Sequence, residues 1–286
     1  MGAVGLIVVL VMVFGGFILH GGNMRVIMQP TEVMIIFGAA LGAAIIQAPM
    51  SSLKASVKYS IRAMVGSSGP SSKEYLDLLQ LLYRLFQTFR KDGPQGVEKH
   101  IEEPQGSEIF KAYPSFLKNH HAVHLLCDTM KITLSADLTQ YDVDDLLDLD
   151  IKTGHEEEHD AQHIVANTAD AMPGLGIVAA VLGVVITMGK LDQGTEVIGH
   201  SVAAALVGTF MGVMAAYGFF SPLAGKIGRN IEADGRYLRC IKVALVALQR
   251  GNPPLVCVEY ARRSIFPDQR PSFDEMDKAL KEKKAA

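Results

Sequence analysis

The chain has 286 residues, of which 49% are hydrophobic, no tryptophan, and a formal net charge of −3. So large and so clustered an apolar share excludes an ordinary soluble domain and reads as a polytopic membrane protein. The near-neutral charge carries no information by comparison, and no nucleic-acid motif accompanies it.

A helix needs about 20 mostly apolar residues to cross about 30 Å of hydrocarbon. Four segments qualify: 3–20, 33–50, 172–190 and 201–223, none with an internal Asp, Glu, Lys or Arg. The first resembles a signal peptide in length, but it lacks a basic leading region and is followed by another span, so it is expected to be retained. Lys54, Lys58, Arg62, Arg84, Arg90 and Lys91 follow the second span, and Lys226, Arg229, Arg236, Arg239 and Lys242 follow the fourth. The alternate connectors carry only Arg25 and Lys190 among basic residues. Basic residues stay on the cytoplasmic side, which places both termini there and 20–32 and 191–200 outside, in a multi-pass membrane protein.

Between the second and third spans, apolar residues recur every three or four positions, the period of a helix. Ser71 or Ser72 can cap a helix that stops at Asp92-Gly93-Pro94. A short helix is predicted near 95–103 and another over 120–138. From Val143 one long helix is expected to run into the third span. After the fourth span, 224–249 reads as a helical extension ended by Gly251-Asn252-Pro253-Pro254, and the polar tail from Pro267 as loosely ordered. The fold class is therefore all-α: a polytopic membrane protein with four transmembrane helices and a helical cytoplasmic domain. Its expected layout is helices one and two in 1–50, a cytoplasmic helical loop domain in 51–171, helices three and four in 172–223, and a cytoplasmic helix and tail in 224–286.

Chemistry-bearing patterns are sparse. His155-Glu156-Glu157-Glu158-His159 matches HExxH, in which two histidines one turn apart bind zinc, and His163 extends the spacing. Here the segment is an acidic run just before a span, which suits a solvated stalk. His120, His121 and His124 fit a histidine-rich helix start. Cys127, Cys240 and Cys257 show neither disulfide nor metal spacing. With no Ser/His/Asp arrangement and no phosphate-binding glycine loop, neither enzyme nor cofactor is expected, and no metal site.

The informative pattern is one of small residues. Gly208, Gly212 and Ala216 form a stripe beside Thr209; Gly176, Ala179, Ala180 and Gly183 form another in the third span; Gly38 and Gly42 repeat it in the second. Small residues let helix backbones approach in lipid, either within one subunit or against a partner. The polar groups of the third and fourth spans include Thr187, Thr209, Tyr217 and Ser221, none of them a carboxylate. An ion path would therefore need a carboxylate from a partner helix, because ionisable groups in lipid are retained where they work. Arg90 and Glu98 flank the turn KDGPQG; by default the first meets a helix C-terminus and the second is solvated.

Three segments carry a resemblance: ADAMPGLGIVAAVLGVVITMG at the third span, ALVGTFMGVMAAYGFFSPLAGKIGR at the fourth, and FRKDGPQGVEKHIEEPQGSEIFKAYP in the loop. Joined to four spans in this order, they resemble flagellar motor stator subunits of the MotA type, in the wider group that includes ExbB and TolQ. The resemblance implies a homo-pentamer in the membrane lipid around two helices of a peptidoglycan-anchored MotB-type partner that carries the membrane aspartate. Ion flow through that complex would turn the flagellum. It also implies that Arg90, Glu98 and Asp150 engage the rotor protein FliG, and that Pro173 and Pro222 take part in the step coupled to protonation. Sodium-type relatives place a threonine where this chain has Ala180, so protons are expected to pass, with Thr209 near the path. The alternative is an ExbB/TolQ-like channel subunit energising outer-membrane transport, typically with three spans and no rotor loop.

Overall fold

The structure is a computed structural model that describes residues 2–66, 69–190, 192 and 194–282; these contain helices and connecting turns, with no strand among them. The chain folds as two compact units, Met1–Ser68 with Glu157–Asn230, and Gly69–Glu156 with Ile231–Ala286.

The first unit holds α1 (Gly2–Leu19), the short α2 (Met24–Ile27), α3 (Pro30–Gln47) and α4 (Met50–Val65). It also holds the second part of α9 (Gln140–Met188), α10 (Thr195–Ala215) and the start of α11 (Ser221–Gln249). Four stretches are long and apolar enough to cross a membrane: Gly2–Leu19, Met24–Gln47, Gln140–Met188 and Thr195–Gln249. Helix α1 buries none of its residues, and Val8, Val11 and Met12 stand open, as suits a face wetted by lipid or by another chain. It touches its neighbours through Phe14, whose ring meets Phe210 edge-on with centroids 6.4 Å apart. Helix α4 follows Pro49 directly and was not distinguished by its sequence pattern; the Tyr59 hydroxyl donates to Glu158 Oε1 at 3.0 Å and ties it to α9.

The second unit is built around α5 (Ser72–Glu102). Ser71 and Glu74 close a reciprocal capping box at its start, satisfying two backbone donors that a helix N-terminus leaves free. Gly93, at φ 71° and ψ −167°, then breaks the helix before Pro94. That conformation is open to glycine and strained for any residue with a Cβ. Beyond it come α6 (Glu108–Lys111), α7 (Pro114–Leu117) and α8 (His120–Ser135), the last capped by the Asn119 side chain and ending three residues short of the expected 138. The N-terminal part of α9 starts with a second reciprocal cap, Thr139 with Asp142.

These helices and the C-terminal part of α11 surround one apolar core in which Leu78, Leu82, Phe86, Phe110, Phe116 and Ile241 are wholly buried or nearly so. The tail differs from expectation. Helix α12 (Pro254–Ser264) is followed by α13 (Phe273–Glu282), which is ordered by a Ser272–Glu275 cap and places Met276 and Leu280 in the core. Gln80 Nε2 donates to the Ala279 carbonyl at 2.8 Å and fixes α13 against α5. The tail escapes a hydropathy reading because Met276 and Leu280, one turn apart, are set in an otherwise polar stretch. Cys127, Cys240 and Cys257 are all buried as free thiols; burial pushes Cys127 and Cys240 up to about 12 and Cys257 up to about 11.

Candidate ion path and coupling site

In the membrane-type unit α9 and α10 pack closely along a seam of small residues. A methyl group added at Gly176 would stand 2.8 Å from the Gly208 carbonyl oxygen, 3.1 Å from Gly212 Cα and 3.3 Å from Thr209 Cα. One added at Gly212 would lie 2.5 Å from the Met172 carbonyl oxygen, and one at Gly183 2.7 Å from Ala205 Cβ. Such approaches are open only to residues without a side chain, so Gly176, Gly183, Gly208 and Gly212 bring two backbones together within this one chain. Gly38 and Gly42, by contrast, have open space where a side chain would project.

Ala180 and Thr209 lie in that seam. A methyl at Gly208 would be 3.1 Å from the Ala180 backbone nitrogen and 3.1 Å from Ala179 Cβ. Thr187 Oγ1 donates to the Gly183 carbonyl at 2.8 Å, so that hydroxyl is satisfied within its own helix.

The same layer holds a residue the sequence reading placed outside the spans. Glu32, in the first turn of α3, is only 7% exposed, and its Oε2 is buried with no hydrogen-bond partner among the described residues. That oxygen sits 2.7 Å from where a Gly208 Cβ would be. The expected start of the second span at Val33 is corrected accordingly, since an acidic side chain just before it packs against the α9–α10 seam. Helix α3 begins at Pro30 rather than at Val33, because proline suits the first turn, and this carries Glu32 into the packed layer.

The two prolines occupy different settings. Pro173 lies inside α9, next to Met172, whose carbonyl meets Gly212. Pro222 is exposed and follows a π-helical turn at Ala216–Phe220, in which the Ser221 N–H donates to the Ala216 carbonyl, five residues back. A proline at 222 has no N–H for the Gly218 carbonyl, and its ring would press on it; the wider turn relieves that clash and puts a π-bulge between α10 and α11.

The charged residues lie in the other unit. Arg90 and Glu98 are exposed on either side of the Gly93 break, and Asp150 is exposed on α9. Arg90 borders an open depression with Arg84, Lys91, Asp92, Ile109 and Pro254. Glu98 and Asp150 do not line it. Within α9 and α11, Lys242 Nζ reaches Asp148 at 2.6 Å and Asp144 at 2.9 Å. Burial disfavours its charge, but the two carboxylates outweigh that and hold Lys242 above its usual range. The His155 ring, first of the HExxH pattern, fills the notch left by Gly235, so this glycine position accommodates an imidazole.

Comparison with known proteins matches this architecture. Residues 3–93 fit the motility protein A N-terminal family and 117–238 the MotA/TolQ/ExbB proton channel family. Motility protein A of Escherichia coli is 34% identical over 277 residues, covering 97% of this chain and 94% of that protein. Chemotaxis protein LafT of Vibrio parahaemolyticus is 34% identical over 278 residues, covering 97% of each. The solved structure of C. jejuni MotAB shares the fold, with a TM-score of 0.77 over 94% of this chain and 97% of that one, at 19% identity. On the strength of identity spread over nearly its whole length, the chain belongs to the motility protein A family, within the wider MotA/TolQ/ExbB proton channel family.

Proposed function

We propose that this chain is the A-type subunit of a flagellar stator, forming with a MotB-type partner a proton channel that converts ion flow into torque on the rotor. The observation that carries this is the one-third identity, over nearly the full length, to motility proteins, with the motility protein A N-terminal match covering the first two spans. That match favours the stator over an ExbB/TolQ-like transport subunit.

Five copies around two partner helices in the inner membrane, with both termini cytoplasmic, form the assembly this reading invokes. The open apolar faces of α1 and α3 offer surface for lipid and for neighbouring copies. In this reading the partner's aspartate faces the Ala180–Thr209 layer, and Ala180 favours protons because its methyl has no oxygen to replace sodium's hydration. The π-turn before Pro222 and the proline inside α9 at position 173 supply the element that moves on protonation. Arg90, Glu98 and Asp150 engage complementary charges of FliG.

The test is swimming of a deletion strain carrying this chain with its B-type partner. Rotation without sodium, abolished by a protonophore, is the expected result. A stable membrane complex that never supports swimming would return the chain to the transport class.

A further inference from the structure

The buried carboxyl of Glu32 has no part in the reading above, which obtains its proton-binding group from the partner. Acidic residues in a helix's first turn ordinarily lie in solvent, where they complement the helix dipole or accept the N-cap N–H. Glu32 does otherwise: it is 7% exposed, its Oε2 has no hydrogen-bond partner among the described residues, and that oxygen points at the glycine of α10 whose neighbours are Ala179 and Ala180. Leaving a buried acid unpaired is costly, whichever protonation state it adopts. In a membrane layer such a group marks an ion or proton route.

Its position along the helices fits a route. Gly208 lies thirteen residues into α10 from Thr195 and Ala180 eight residues before Met188. At 1.5 Å per residue these are about 20 and about 12 Å from the connector that joins α9 to α10. The space a Gly208 side chain would fill is bordered by this oxygen, the Ala179 methyl and the Ala180 backbone nitrogen.

Building on the stator reading, we propose that Glu32 is a proton-relay residue of the channel, supplied by this chain in addition to the partner's acid. The carboxylate oxygen takes a proton from a hydronium ion on the side of the α9–α10 connector, whose O–H bond breaks to leave water. The new O–H bond then breaks, and the proton passes to a water molecule in the Ala180–Thr209 layer, restoring the carboxylate. One proton enters and one leaves, with no electron transferred.

The test is proton influx, read as acidification of cells that express the chain with its partner, alongside the abundance of the membrane complex. Glu32→Gln keeps shape and hydrogen-bonding capacity but cannot release a proton; Glu32→Asp keeps a titratable carboxyl. The relay predicts a loss of about a hundredfold in the glutamine variant at normal abundance, the scale of a removed acid–base group, with most of the influx kept by aspartate. Normal influx in Glu32→Gln overturns the relay alone and leaves the residue a packing element. No influx in the unaltered complex removes the stator reading and the relay with it. If the glutamine variant does not accumulate, aspartate decides: retained influx supports the relay, and its loss in a normally abundant complex overturns it.

Discussion

Gly212 of α10 rests on the Met172 carbonyl of α9, so near that an added methyl would lie 2.5 Å from the oxygen and 2.9 Å from Gly176 Cα. Both obstacles are backbone, which cannot rotate aside as a side-chain tip does. Gly212→Ala is therefore expected to force the helices apart at about 1–3 kcal/mol, the usual range for overpacking, and Gly212→Val to cost more. Gly5→Ala, at a position with open space, is the control and should be neutral. Thermal melting of the purified complex, with swimming speed beside it, gives the comparison.

Replacing Pro222 by alanine restores a backbone donor one residue after the π-turn. The residue is exposed, so little packing is lost. The expected outcome is a continuous α-helix through 216–222, normal complex abundance and reduced torque. Equal falls in torque and abundance would instead assign Pro222 to folding.

The Glu259 carboxyl is held down to about 2, first by its hydrogen bonds to Arg262, with Arg263 adding to it and burial opposing. Its usual value is 4.5, so the folded state binds the proton less tightly than the unfolded one. The stability this contributes is present above pH 4.5 and is lost as pH falls from there toward 2. Arg262 also donates to the Pro271 carbonyl, so the effect belongs to the segment joining α12 and α13. Glu259→Gln should lower the melting temperature at pH 6, and the difference should vanish near pH 2 to 3.

Met276 is wholly buried in the core of the second unit, although the tail around it is polar. Met276→Ala is expected to destabilise that unit by about 2–5 kcal/mol, as buried methionine truncations do. Limited proteolysis should then cut between α12 and α13 earlier than in the unaltered protein. Cleavage at an unchanged rate would show that α13 is dispensable.

Arg90→Glu should slow swimming without altering proton influx, and a reversed charge on the rotor should restore part of the speed. Unchanged swimming at low and at high salt would remove Arg90 from the rotor contact, since an exposed charge pair is salt-sensitive.

Much of this was legible from local chemistry. The Ser71–Glu74 cap and the Gly93 break are written in adjacent residues, and the long α9 in an unbroken helical period. The glycine stripes announced close approach but not which backbone they meet: four glycines close the α9–α10 seam while Gly38 and Gly42 stay open. Glu32 was missed because a span found by hydropathy begins where the charge ends, whereas its burial depends on Gly208, far away in sequence. Helix α13 had a signature in Ser272-x-x-Glu275, outweighed by a polar composition in which Met276 and Leu280 are the apolar side chains placed in the core among the described residues. The π-turn could not be read from Pro222 alone, since a proline there could equally have ended the helix.

The buried thiols carry a practical corollary. Pushed up to about 11 or 12, Cys127, Cys240 and Cys257 remain uncharged near neutral pH, and thiolate-seeking reagents need both charge and access. The natural chain is thus already a quiet background for site-directed labelling: one cysteine introduced on the open face of α1 or beside Arg90 would be the reactive site for a maleimide dye or crosslinker, letting neighbours in the assembled ring be mapped without first stripping the native residues.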